Sequence, residues 1–409
     1  MPSEEILIDI PQESLLARLK DKCSACLTSI AKKWKSLNKK QKLLMAGSAL
    51  TNLTLIIVIT LWWLRPSGQT FTSSTSLIKS DNNNAEIDVT SPEELRDQQS
   101  PLDGILVTEQ EIEEIKNRRP LGIIIDNHIS ARPSFGLNKA DLVYEALVEG
   151  SITRFMAVYL REQPEKVGPV RSLRTYFLDW LAEFNEPIIM HIGFAPPAPL
   201  SAPEADVLAY IYRHGFNTLG IYHGTNFWRV SDRLAPHNAL TSTTSLWEKA
   251  KQNKWTGLKD IKPWQFKTDE VLANRPSIQQ LSLNWDGWGK TNYSASWTYD
   301  QKQNRYLREQ ANVKAIDADD SNNQIWAKNL IIEFTVQTRA NDPLNHVIYQ
   351  TTGNGRALIF LDGKTIEGVW KKDSRTARTR YYNTQGDEIE FNRGRCWIMI
   401  APAGSEVIY

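Results

Sequence analysis

Residues 119–128 read RPLGIIIDNH, and how this stretch is read decides the fold assigned to the rest of the chain. Leu121 to Ile125 is an unbroken apolar run behind Pro120, the pattern of a strand buried on both faces. Asp126, Asn127 and His128 follow at once, with Arg132 shortly after. In α/β sheets ligands collect beyond the carboxyl ends of strands, so this polar exit is a candidate site, with a solvated turn as the plainer alternative.

Towards the carboxyl terminus, residues 140–148 carry a helical pattern and 153–160 a strand pattern. Residues 172–184 predict a helix with Leu173, Phe177, Trp180, Leu181 and Phe184 on one face. Residues 187–192 read as another buried strand and 203–212 as a helix. Residues 242–252 read as a helix opened by Thr and Ser residues able to cap it. Alternating strands and helices predict an α/β (or α+β) layered domain over residues 116–260, followed by a connector over 261–281. From Ser282 on, short segments rich in Trp, Tyr, Ile, Val and Thr are broken by Gly, Asn and Asp, which predicts a smaller, mainly antiparallel β domain over 282–409. Asp362 with Gly363 marks a tight turn between 357–361 and 365–370, and residues 385–387 separate 378–382 from 388–391.

Upstream, residues 43–64 read LLMAGSALTNLTLIIVITLWWL without a charge. As a helix they would extend about 33 Å, enough to span a bilayer. Lys32, Lys33, Lys35, Lys39, Lys40 and Lys42 precede this run, and only Arg65 and Lys79 follow it closely. That bias places residues 1–42 in the cytoplasm as a basic tail and everything after the span outside, with Trp62 and Trp63 at the outer headgroups. A leader of this length argues against a cleaved signal peptide. Within the tail, Leu16, Leu19, Cys23, Cys26, Ile30 and Leu37 fall on one helical stripe, a simpler account of the two cysteines than zinc or lipid attachment. Residues 65–115, rich in Ser, Asn, Thr and Asp, read as a disordered linker.

The chain has 48 Lys and Arg against 47 Asp and Glu, and its excess of positive charge lies in the tail. The outer portion therefore lacks the field that nucleic-acid binding needs. Three cysteines make no disulfide framework, and Cys396 in CWIMI reads as a buried core thiol.

The sharpest chemical signal is GPVRSLR at residues 168–174, which opens the predicted 172–184 helix. Unpaired N–H groups at a helix start, with Arg171, Ser172 and Arg174 beside them, would seat a phosphate or carboxylate. The alternative pairs the two arginines with Asp179 or Glu183. Glu145 and Glu149 would share a helix face, as an acid and base pair or as solvated charges. His191 closes a predicted strand, and His237 lies beside Asn238 in APHN. Neither histidine has metal-ligand spacing, so no metal or other cofactor is expected. Asp317, Asp319, Ser321 and Asn323 begin like a calcium loop but lack the sixth-place glycine, and Lys328 stands where the closing acid belongs. The tryptophans Trp285, Trp288 and Trp297 fit either core packing or a docking surface.

The stretch RPLGIIIDNHISARPSFGLNKADLVYEALVEGSITRFMAVYL, then EKVGPVRSLRTYFLDW, APHNALTS, VWKKDSRTARTRYY and RGRCWIMIAP, resembles the YerB-like family of bacterial envelope lipoproteins over most of residues 119–402. The resemblance implies an extracytoplasmic protein with an amino-terminal YerB-like domain and a smaller carboxyl-terminal one, in a family without an established activity. Its recurrent polar positions correspond to Asn127, Arg132, Glu145, Glu149, Arg154, Arg171, Ser172, Arg174, His237 and Asn238. Members are typically anchored by a lipidated cysteine after a short signal sequence, whereas no cysteine follows the apolar span in this sequence until Cys396, so the expected anchor is a single-pass helix. The expected function is a membrane-anchored envelope protein that binds an anionic ligand such as a wall polymer, a peptidoglycan fragment or a lipid-linked phosphate, using Asn127, Arg132, Arg154, Arg171, Ser172, Arg174, His191 and Asn238. Two alternatives are a hydrolase or phosphotransferase with Asp126, Glu145, Glu149 or His237 as acid or base, and a non-catalytic scaffold for envelope proteins.

Overall fold

The strand Leu121–Asp126 forms as read, buried along its whole length. A computed structural model describes residues 94–220, 226–285 and 291–409 of the chain. The 43–64 span, the tail with Cys23 and Cys26, and Trp288 lie outside the described residues. Among the described residues no helix is long and apolar enough to cross a membrane.

Leu121–Asp126 lies within a ten-stranded mixed sheet. The order is Arg380–Asn383, Lys364–Lys372, Gly353–Leu361, Asn329–Thr335, Cys396–Pro402, Leu142–Leu147, Thr153–Tyr159, Leu121–Asp126, Ile188–Met190 and Asn217–Thr218. Cys396–Pro402 runs parallel to both of its neighbours, Asn329–Thr335 and Leu142–Leu147. It therefore joins the two expected domains through one continuous set of backbone hydrogen bonds. The described residues fall in a single compact unit.

A second, antiparallel sheet has the order Val313–Lys314, Arg305–Gln310, Ala295–Asp300, Gln280–Asn284 and Glu406–Ile408, with Trp326–Ala327 also paired to Arg305–Gln310. It covers one face of the large sheet, where Leu283, Trp297 and Tyr306 pack with Val143, Phe155 and Trp397. Helices Thr175–Leu181 and Glu109–Lys116 cover the opposite face, where Phe177, Trp180 and Ile112 meet Ile124, Tyr144 and Ile398. The chain is mostly β with few helices, and its carboxyl-terminal part is mainly antiparallel, as the spacing of turn residues predicts.

Four expectations change. Residues 140–148 are not a helix: Leu142–Leu147 is a strand. Leu142, Tyr144 and Ala146 enter one core and Val143 and Leu147 the other, so apolar residues on both faces produce a run whose period does not separate helix from strand. The 172–184 helix starts later, as Thr175–Leu181 followed by the 3-10 turn Ala182–Phe184. The 65–115 linker gives way to folded chain before Lys116. Gln98–Gln99 pairs with Leu106–Val107, and the helix Glu109–Lys116 is opened by a capping box in which the Glu111 N–H donates to Thr108 Oγ1 (3.2 Å) and the Thr108 N–H donates to Glu111 Oε2 (2.8 Å). The 261–281 connector is also part of the fold: Gln265–Lys267 pairs in parallel with Glu390–Asn392, and buried Trp264 donates its indole N–H to the Thr379 carbonyl (2.8 Å).

Other expectations stand. The helix Thr243–Gln252 is capped by Ser242. Asp362 and Gly363 both have positive φ (53° and 71°) between paired Leu361 and Lys364, a turn whose twist matches its strands. Cys396, Trp285 and Trp297 are buried, and burial pushes the Cys396 thiol pKa up.

Candidate functional site

Asp126 ends its strand with a buried side chain that three groups approach. Its Oδ1 accepts the His128 backbone N–H (3.0 Å), which turns the chain into the 3-10 segment Ile129–Ala131. Its Oδ2 lies 2.7 Å from His237 Nδ1 and 3.3 Å from Arg171 Nε. The His237 ring stacks on His128 at 4.4 Å. His128 accepts the Ser130 N–H at Nδ1 (3.1 Å), and burial, then the neighbouring His237, lowers its pKa. His237 reaches Asp126 because Asn238 folds the preceding loop: its amide donates to the carbonyls of Val230 (2.9 Å) and Arg233 (3.1 Å), and its oxygen accepts from Arg229 (2.7 Å).

Asn127 and Arg132 form the next layer. Asn127 donates to Thr153 Oγ1 (2.6 Å), and Arg132 Nη2 donates to the carbonyls of Asn127 (3.1 Å) and Asn292 (2.9 Å) with its guanidinium over the Tyr293 ring. Burial lowers the Arg132 pKa. Arg132 and Pro133 line two adjoining hollows. One, of about 560 Å³, also has Ser130, Arg233 and His237 on its wall. The other, of about 620 Å³, lies against the second sheet and is lined by Asn127, Phe155, Arg308, Gln310 and Lys314 among others.

The helix-start seat at 168–174 is not formed. Residues 170–173 are extended and stitched to neighbouring chain: the Arg171 N–H donates to the Ile124 carbonyl (2.9 Å), the Arg171 carbonyl accepts from Ile192 (3.0 Å), and the Leu173 N–H donates to the Gly193 carbonyl (3.1 Å). Ser172 Oγ donates to the Ile192 carbonyl (3.3 Å). Arg174 occupies the N-cap position, and its guanidinium grips Glu149 through Nε (2.9 Å) and Nη2 (2.6 Å). The arginines thus pair with Glu149 and Asp126, from other parts of the chain, instead of Asp179 or Glu183. Arg154 donates to the Ser172 carbonyl (2.8 Å), and burial lowers its pKa to about 10.

Glu145 and Glu149 do not share a helix face. Glu145 sits between the two sheets, fully buried, accepting from Arg308 Nη2 (2.8 Å) and the Trp397 indole (3.0 Å). His191 is held on both sides: Nδ1 donates to the Gly193 carbonyl (2.8 Å), and Nε2 accepts from the Thr218 hydroxyl (2.9 Å). Burial lowers its pKa to about 4, so it stands neutral as a structural group. Asp317 accepts from the N–H groups of Gly136 (2.8 Å) and Asn138 (2.6 Å). Among the described residues no three His, Cys, Asp or Glu side chains converge as metal ligands.

The structure thus gathers Asp126, Asn127, Arg132, Arg171 and His237 at one strand exit. His128, part of the same polar exit in the sequence, stands with them, and the structure adds Arg233, Arg308 and Gln310, which the sequence does not single out. A signal for two of these exists: in RYLREQ, Tyr306, Arg308 and Gln310 alternate inwards, so a charge and an amide occupy positions a strand reserves for the core.

The chain matches the family described as protein of unknown function (DUF3048), with the amino-terminal domain over residues 106–256 and the carboxyl-terminal domain over 286–398. It belongs to this family. It is similar to YerB of Bacillus subtilis (strain 168), which carries a provisional lipoprotein name, at 32% identity over 76% of this chain and 88% of that protein. The crystal structure of Bacillus subtilis YerB superposes with a TM-score of 0.64 at 27% identity, covering 76% of this chain and all of the other.

Proposed function

We propose that this protein is held at the cell envelope by residues 43–64 as a single-pass anchor, with its folded part outside the membrane, where it binds an anionic ligand at the exit of the Leu121–Asp126 strand. The lipoprotein name of its relative supports a place at the membrane, and the basic run before the apolar span supports the orientation.

One observation carries the ligand reading. Among the described residues neither Arg132 nor Lys314 has a carboxylate within 4.0 Å, and both line the 620 Å³ hollow, whose wall contains no acidic side chain. A cavity that concentrates positive charge in partial shelter from water favours an anion over bulk solvent. The full-length chain in nanodiscs, titrated with inorganic phosphate, should broaden the phosphorus resonance, and Arg132→Ala should weaken the apparent affinity at least fivefold. Equal broadening in the two proteins overturns the reading.

The Asp126–His237 contact favours hydrolysis as a second reading. A carboxylate on Nδ1 fixes the ring of a histidine that lines the 560 Å³ hollow and leaves Nε2 as the proton acceptor, the arrangement a general base needs. Catalysis requires turnover that His237→Gln abolishes without loss of ligand affinity.

A further inference from the structure

The wall of the 620 Å³ hollow holds donors that the fold leaves unused. Arg308 is fully buried and Gln310 is 5% exposed, and both lie on the inward face of the Arg305–Gln310 strand. Arg308 spends Nη2 on Glu145, yet its Nε and Nη1 have no partner, and neither has Gln310 Nε2. Buried donors without acceptors are costly to leave unmade, so three on two residues that line one hollow point to an acceptor that arrives with a ligand. The Arg308 guanidinium cannot swing away to find other partners, because it is packed against the rings of Phe155, Trp297 and Trp397 at 4.8–5.6 Å. Most of the remaining wall is apolar, formed by Ile129, Pro133, Val313, Ala315, Ile316 and Ile325. A small inorganic ion would leave that surface facing water, whereas a volume of this size matches an organic ligand.

We propose that the hollow binds a single-chain anionic amphiphile, with its oxyanion head at Arg132, Arg308 and Gln310 and its apolar body along Ile129, Pro133 and Ile325. This rests on the anion reading above and names the ligand class. The shared chemistry is an oxyanion on an apolar chain, supplied either by a fatty carboxylate or by an alkyl or prenyl phosphate.

The test uses the full-length chain in nanodiscs with three photoreactive twelve-carbon probes bearing a carboxylate, a phosphate or an alcohol head. At least one anionic probe should label peptides that contain residues 311–316 or 325, at least fivefold more than the alcohol does. Val313→Trp, at a cavity residue that is 67% exposed and so tolerant of substitution, should reduce that labelling at least fivefold, and Gln310→Leu severalfold. The ratio of carboxylate to phosphate labelling identifies the source. Labelling confined to 43–64, labelling unchanged in Val313→Trp, or an alcohol probe equal to the anions overturns the amphiphile. If inorganic phosphate still binds in an Arg132-dependent way while no probe labels the hollow, the anion reading stands alone. If neither binds, both fall.

Discussion

At the scale of single residues, His191 ties protonation to folding. Its folded pKa of about 4 lies below the ordinary histidine value, so the unfolded chain holds more protons between those two points. The stability it contributes is complete above about pH 6.5 and is lost as the pH falls towards 4, a change of about 3 kcal/mol. Urea unfolding at pH 7.5 and pH 4.0 should show that extra loss in the wild type and not in His191→Gln; parallel losses in the two proteins contradict it. Arg171 and Arg174 show where residue-level reading stops. Their chemistry is plain in the sequence, but their partners are not, because Glu149 and Asp126 lie on segments brought close only by the sheet. Glu145 and Arg308 are a stronger case: two opposite charges 163 positions apart meet inside a layer that hydropathy assigns to carbon.

At the scale of elements, legibility follows how local the cause is. The Asp362–Gly363 turn is readable because both positions demand a left-handed backbone that those residue types tolerate. A Cβ on Gly363 would meet the Tyr299 ring at 2.4 Å, and its φ of 71° is already unfavourable for other residues. Gly363→Ala should therefore lower stability by at least about 1 kcal/mol, measured by thermal unfolding; an unchanged midpoint contradicts the clash. The Thr108–Glu111 capping box is equally local, but the composition around it resembles a tether and hides it. Leu142–Leu147 lies beyond local reading, since its state is set by Thr153–Tyr159 on one side and by Cys396–Pro402, far along the chain, on the other. The polar strand exit is legible as a place, while its second wall, Arg305–Gln310, comes from a portion of chain that composition assigns to another domain.

At the scale of the whole molecule, the segments 106–256 and 286–398 are recognisable as sequence units, yet they share one sheet. Loss of packing in Cys396–Pro402 should therefore be felt on both sides of that strand. Ile398 is fully buried, and Ile398→Ala should cost about 2–5 kcal/mol. Hydrogen exchange should accelerate together in Leu142–Leu147 and Asn329–Thr335; acceleration in only one of them would mean that the halves unfold separately.

The placement of Cys396–Pro402 also imposes an order in time. Leu142 lacks its neighbour until Cys396 has been synthesised, roughly 250 residues later, or about 10–50 s at ordinary translation speeds. Throughout that interval the apolar edge of Leu142–Leu147 is a template for any passing strand. A nascent chain built in this way must keep that edge unpaired until its own closing strand is released.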